Sequence, residues 1–206
     1  MLFNLENIQY KYEDKVFLKE LSFNIECGNH LLIHGRSGSG KSTLINLMTG
    51  LLRAISGSIT FENINYNTLT DSDLDVLRSK NFGFIFQRLH LIGHLNVKQN
   101  ISIAINKNNC LCTEELIKDL GLEKLRNKKV SDLSVGEAQR VAVARGVVNN
   151  PKVIFADEPT SALDNSNSKK VMDLILSQTK KTNSTLIVST HDERIKNYFS
   201  KVIRLK

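Results

Sequence analysis

Proline is almost absent from this sequence, with only Pro151 and Pro159 in 206 residues, and aromatic side chains make up 6%. No Pro-rich linker or internal repeat divides the chain, and its length suits one domain or one domain with a small subdomain. No stretch approaches the roughly 18 apolar residues that a membrane-spanning helix needs. The first residues, Met1-Leu2-Phe3-Asn4-Leu5-Glu6, lack the basic region and apolar core of a signal peptide, so a cytosolic protein is expected. Three cysteines, Cys27, Cys110 and Cys112, form neither an even disulfide framework nor a zinc pattern, which points to reduced thiols. Hydrophobic residues at 41% and charged residues at 24% exclude a disordered tail and a collagen-like repeat.

The charge present is mostly positive, +7 in total, and residues 169–206 carry nine Lys or Arg against three acids. Such a face could meet nucleic acid or an anionic leaflet. Aromatic residues do not alternate with these charges as they would on a stacking platform, so a solvated surface is the favoured reading and no nucleic-acid partner is expected.

Leu21-Ser22-Phe23-Asn24-Ile25 alternates with period two, as a half-buried antiparallel strand does. Leu31-Leu32-Ile33, Phe82–Phe86, Val153–Ala156 and Leu186–Ser189 are short apolar runs suited to strands buried on both faces. Helices are expected from about Ser42 to Thr49, with Gly50 as left-handed cap, within 96–130, and from Ser134 to just before Asn149-Asn150-Pro151. Thr113-Glu114-Glu115 places acids in a first turn and Gly121 is a stop. Ser134 and Glu137 have the spacing of a capping box. Strands that alternate with helices imply an α/β fold with a mostly parallel sheet.

Gly35-Arg36-Ser37-Gly38-Ser39-Gly40-Lys41-Ser42 fits the phosphate-binding pattern G-x-x-x-x-G-K-[ST] between a strand and a helix, with Thr43 next in that helix. Its glycines let backbone N–H groups close around phosphate oxygens, Lys41 can reach the β- and γ-phosphates, and the Ser42 hydroxyl can ligate Mg²⁺. Asp157 follows four apolar residues, where a strand meets solvent, and would serve the metal through water. Glu158 comes next, points elsewhere, and would polarise the attacking water.

Leu133-Ser134-Val135-Gly136-Glu137-Ala138-Gln139-Arg140 lies just upstream. With the P-loop and Asp157-Glu158, it resembles the ATP-binding cassette of ABC transporters, and the likeness covers nearly the whole chain. The resemblance implies a P-loop NTPase core, an N-terminal antiparallel β-subdomain and a compact helical subdomain at about 88–140, within one nucleotide-binding domain over 1–206. It also implies roles for further residues. Gln87 looks like the Q-loop glutamine, a metal ligand. Ser161-Ala162-Leu163-Asp164 looks like the D-loop, His191 like the switch histidine and catalytic partner of Glu158. Tyr12, 29 residues before Lys41, is similar in position to the adenine-stacking aromatic, with Tyr10 the competing choice. ATP and Mg²⁺ are the implied cofactors. Ser134, Val135, Gly136 and Glu137 would act on the ATP held by a second copy of the chain, giving an ATP-sandwich dimer. Val135 stands where the family usually has glycine, which narrows the backbone angles allowed there; activity is expected to survive.

Leu77-Arg78, Phe82–Gln87, Leu91, Leu95 and Asn100 resemble the subgroup serving lipoprotein release, macrolide-type efflux and cell division. That implies integral membrane permease subunits as partners and a place on the cytoplasmic face of the plasma membrane. Three functions stay open: an exporter-like or mechanotransmitting motor, a cell-division ATPase that governs envelope enzymes without transport, and a soluble ABC ATPase on ribosomes or DNA.

Overall fold

Adjacent residues of one strand serve two different cores here, because successive side chains leave a sheet on opposite faces. The computed structural model describes residues 1–12, 15–106, 113–161 and 163–205, so Cys110, Cys112 and Ala162 lie outside the described residues. In chain order the strands are β1 (Phe3–Tyr12), β2 (Lys15–Ile25), β3 (Leu31–Gly35), β4 (Ser56–Phe61), β5 (Ile64–Asn65), β6 (Phe82–Ile85), β7 (Val153–Asp157), β8 (Thr185–Thr190) and β9 (Lys201–Leu205). The helices are α1 (Lys41–Met48), α2 (Asp71–Asn81), α3 (Val97–Ser102), α4 (Thr113–Asp119), α5 (Val135–Val147) and α6 (Asn165–Lys181).

β6, β7, β8, β3 and β9 form one sheet in that order, and all four pairings are parallel. β2, β1, β4 and β5 form a separate antiparallel sheet. Leu32, Ile154, Ala156, Leu186 and Val188 face a core shared with α3, α4, α5 and α6. Their neighbours Leu31, Ile33, Val153, Phe155 and Ile187 face the other core, closed by α1, α2 and the antiparallel sheet. Phe3, Phe61, Phe82 and Phe155 join the two sheets, with ring centroids 5.0 to 6.2 Å apart. Burial on both faces explains why these strands read as continuous apolar runs.

The helix ends match their local chemistry. Gly50 takes φ 68° after α1, and Gly121 takes φ 63° after α4. Ser134 and Glu137 form the expected capping box, while α5 stops at Val147, ahead of Asn150 at φ 50° and then Pro151. Val135, the first residue of α5, has no left-handed backbone angle, so the branched side chain sits there without strain.

One expectation changes. The strand that was to end at Phe86 closes one residue earlier, and Phe86 stands 38% exposed beyond it. The basic stretch 169–206 contains most of α6, then β8, where a strand was expected, and β9. Lys181 pairs with Asp119 at 2.7 Å, and Arg194 pairs with Asp192 at 2.8 Å, so part of that charge is spent within the fold.

Candidate nucleotide-binding and hydrolysis site

Three adjacent strands, β7, β8 and β3, deliver the polar residues, because parallel register aligns their C-terminal ends. Asp157 lies opposite Ser189, and Thr190 lies opposite His34, the residue before the P-loop glycine Gly35. A ligand site at the carboxyl ends of parallel strands is the general rule for open α/β sheets.

The loop from Gly35 to Lys41 turns through two left-handed glycines, Gly38 at φ 79° and Gly40 at φ 93°. Gly35 has no room for a side chain, since a Cβ there would lie 2.7 Å from the Leu205 carbonyl oxygen. Gly40 caps α1 with no side-chain acceptor, whereas Thr70, Asn96, Ser134 and Asp164 all cap their helices. The first N–H groups of α1 are thus left to an anion at the positive end of the helix.

Lys41 is 6% exposed, and its Nζ donates to the carbonyl oxygens of Gly35 at 2.9 Å and Arg36 at 3.1 Å. It also stands 3.2 Å from Glu158 Oε1. The Ser42 hydroxyl donates to Asp157 Oδ2 at 2.8 Å, and the Ser189 hydroxyl donates to Oδ1. Two hard oxygen donors beside the phosphate loop suit Mg²⁺, which takes few protein ligands and completes its shell with phosphate oxygens and water.

Glu158 has a left-handed backbone, φ 48°, and its N–H donates to the Ser189 carbonyl at 2.8 Å. That turn separates its side chain from Asp157. Its Oε2 accepts from the Thr190 hydroxyl at 2.7 Å, and its Oε1 meets His191 Nδ1 at 2.9 Å. Burial alone would raise the Glu158 pKa, but hydrogen bonds from His191, Thr190 and Lys41, with the Lys41 charge, hold it below the usual value. The carboxylate is therefore ionised at neutral pH and can only accept.

Ser37, Gly38, Gly40, Lys41, Ser42, Thr43, Gln87 and Glu158 line one cleft of about 220 Å³. The Gln87 amide donates to Ser161 Oγ at 3.0 Å, and Ser161 Oγ donates to the Glu158 carbonyl at 3.2 Å. Asp164 serves as N-cap of α6, accepting from Asn167 N–H at 2.8 Å. Tyr12 and the Ser134–Glu137 segment do not line this cleft. Tyr12 is 63% exposed at the end of β1, while Tyr10 packs against the core. Val135 is 69% exposed, and a Cβ on Gly136 would meet nothing within 4 Å. Nothing among the described residues requires a glycine at 136, and the start of α5 is open to approach from outside.

Sequence reasoning missed Thr190, although it adjoins His191 at a strand end. It also missed Gln139, whose amide ties α5 to the Pro159 carbonyl at 2.9 Å, next to Glu158.

Comparison with known proteins agrees with this architecture. The ABC transporter family profile matches residues 18–161. The lipoprotein-releasing system ATP-binding protein LolD of Buchnera aphidicola is 40% identical, over 93% of this chain and 86% of that protein. The macrolide export ATP-binding/permease protein MacB of Escherichia coli K12 is 38% identical over the whole chain, which spans about a third (33%) of that longer protein. The dimeric cassette MJ0796 bound to ADP and Pi superposes with a TM-score of 0.86 at 33% identity, covering 100% of this chain and 94% of that one. The fold, the phosphate loop and these likenesses agree: the chain belongs to the ABC transporter family, as an ATP-binding cassette ATPase.

Proposed function

We propose that this chain is the motor subunit of an exporter-like or mechanotransmitting ABC transporter, working as an ATP-driven dimer against integral membrane subunits. One observation carries the reading: Lys41, Ser42 and Glu158 line one cleft, where Lys41 pairs with Glu158, Asp157 accepts from Ser42 and His191 meets Glu158.

In this reading the N–H groups of the Gly35–Lys41 loop and the start of α1 hold the phosphates, and Lys41 moves its cation from Glu158 towards the β/γ oxygens. Tyr12, being exposed, offers a face for the adenine. Ser42, Asp157 and Gln87 would hold Mg²⁺, which neutralises charge developing on the phosphates. Glu158 orients and polarises water, and its lowered pKa makes it an acceptor at working pH rather than a reservoir of protons. His191 and Thr190 fix that carboxylate. Ser134 and Gly136 of a second copy cover the γ-phosphate, and hydrolysis lets the copies part.

The membrane partner would seat in a groove of about 1020 Å³, whose walls include Phe84, Phe86, His90, Ala104, Ile105 and Arg145. No helix among the described residues is long and apolar enough to cross a membrane. In this reading, as the likeness to transporter subunits suggests, the chain sits at the cytoplasmic face of the membrane, held there by its partner.

The decisive variant is Glu158→Gln, which keeps the size of the side chain but removes its charge and replaces one acceptor oxygen with an NH2 donor. With ATP and Mg²⁺, light scattering during size-exclusion chromatography should find the variant dimeric while wild type is largely monomeric. Wild-type turnover in the variant would remove Glu158 from the chemistry.

A further inference from the structure

The Asp192–Arg194 pair joins two loops that the proposed mechanism uses separately. The Arg194 guanidinium grips both Asp192 oxygens, Nε to Oδ1 at 2.8 Å and Nη2 to Oδ2 at 2.8 Å. Both terminal nitrogens also reach the Leu163 carbonyl at 3.2 Å, and Nη1 donates to Asn165 Oδ1 at 2.7 Å. Leu163 immediately precedes the N-cap of α6, and Asn165 is the first residue of that helix, so one side chain pins the loop at its junction with α6.

The other end of the pair leads to the reacting centre. Asp192 N–H donates to Thr190 Oγ1 at 3.0 Å, and that hydroxyl donates to Glu158 Oε2 at 2.7 Å. Thr160, fully buried beside the Ser161–Asp164 loop, donates its hydroxyl to Asp192 Oδ2 at 2.8 Å. Hydrogen bonds therefore run without a break from Glu158 through Thr190, Asp192 and Arg194 to Leu163. Arg194 lies outside the nucleotide cleft, and its hydrogen bonds go to Asp192, Leu163 and Asn165, none of which line it. A fork of five donors suits these four acceptor atoms at fixed angles; an ammonium on a flexible stem does not.

We propose that Arg194 is a positioning residue for hydrolysis, clamping the Ser161–Asp164 loop to the segment bearing Thr190 and His191 so that both present one geometry to Glu158. This deepens the proposed function and rests on it for the role of Glu158.

The test uses the full chain and compares Arg194→Ala, Arg194→Lys and Asn165→Ala with wild type and Glu158→Gln. Steady-state kcat and KM are read beside the equilibrium Kd of a fluorescent ATP analogue with Mg²⁺. Arg194→Ala should lose tenfold or more in kcat with Kd within twofold, and Arg194→Lys should restore only part of the loss. Asn165→Ala, which removes one arm of the clamp, should lose two- to fivefold in kcat. Unchanged kcat in Arg194→Ala, or parallel loss of kcat and nucleotide affinity, overturns the proposal. Should Arg194→Ala fail to fold, Asn165→Ala decides, and unchanged kcat there overturns it. Wild-type turnover in Glu158→Gln would instead defeat the underlying reading, so the two failures are distinguishable.

Discussion

Lys41 and Glu158 form a largely buried ion pair at 3.2 Å, with side-chain exposures of 7% and 12%. The cation that the phosphates need is thus held by the carboxylate that the attacking water needs. Each restrains the other until a third charge enters between them.

Lys41→Ala should therefore do two things. ATP hydrolysis should fall at least a hundredfold, because the phosphate loses its cation, and Glu158 should titrate at a higher pH, because its neighbouring charge is gone. Turnover assays and carboxylate titration by NMR check both. Normal turnover would refute the P-loop assignment.

Tyr12→Ala should weaken ATP binding by roughly 1–3 kcal/mol while leaving kcat close to wild type, since only aromatic stacking is removed. Tyr10→Ala should instead lower the unfolding midpoint, because Tyr10 packs against the core. The reverse pattern would exchange the two assignments. Equilibrium binding and thermal unfolding of both variants separate them.

Glu137 offers a gain-of-function test. Its carboxylate accepts from Ser134 N–H at 2.7 Å and from the Ser134 hydroxyl at 2.8 Å, and these bonds keep its pKa low. A negative charge then sits where a γ-phosphate of the opposite copy should arrive. Glu137→Gln keeps the acceptor and removes the charge. In the Glu158→Gln background it should tighten ATP-dependent dimerisation about fivefold, because a screened like-charge repulsion is removed. Light scattering across a dilution series measures it, and a weaker dimer would contradict the proposed approach to α5.

Asp192 gives a pH signature. Hydrogen bonds from Arg194, outweighing the effect of burial, lower its pKa to about 2. A depressed carboxylate stabilises the fold above its unfolded pKa, and that contribution drains away as pH falls from about 4 towards about 2. Denaturant unfolding of wild type and Asp192→Asn should therefore differ most near neutral pH and converge below pH of about 4. A gap that stays constant with pH would mean that packing, not charge, fixes Asp192.

The phosphate loop and Asp157 were legible because each announces itself within a few residues: glycines before Lys41, four apolar residues before an acid. α2 and α6 were not. Asp164 was assigned to a loop rather than to the cap of α6, whose buried residues Ser168, Val171, Met172 and Ile175 are scattered among charges. β9 was not read as a strand because Lys201 and Arg204 interrupt its aliphatic residues Val202, Ile203 and Leu205, and an edge strand has one neighbour to declare it. Arg194 counted only as a positive charge, since its acceptors come from residues 163, 165 and 192 and no local pattern marks them.

β3, which carries the phosphate loop, lies between β8 and β9, both of which follow residue 184 in the chain. On the ribosome, a nascent chain that has emerged through residue 160 already carries Lys41, Asp157 and Glu158, yet β3 has neither flanking strand to pair with. Nucleotide capture then waits until residues 185–205 have been made, and a chain interrupted before them leaves an unpaired apolar strand for chaperones to find.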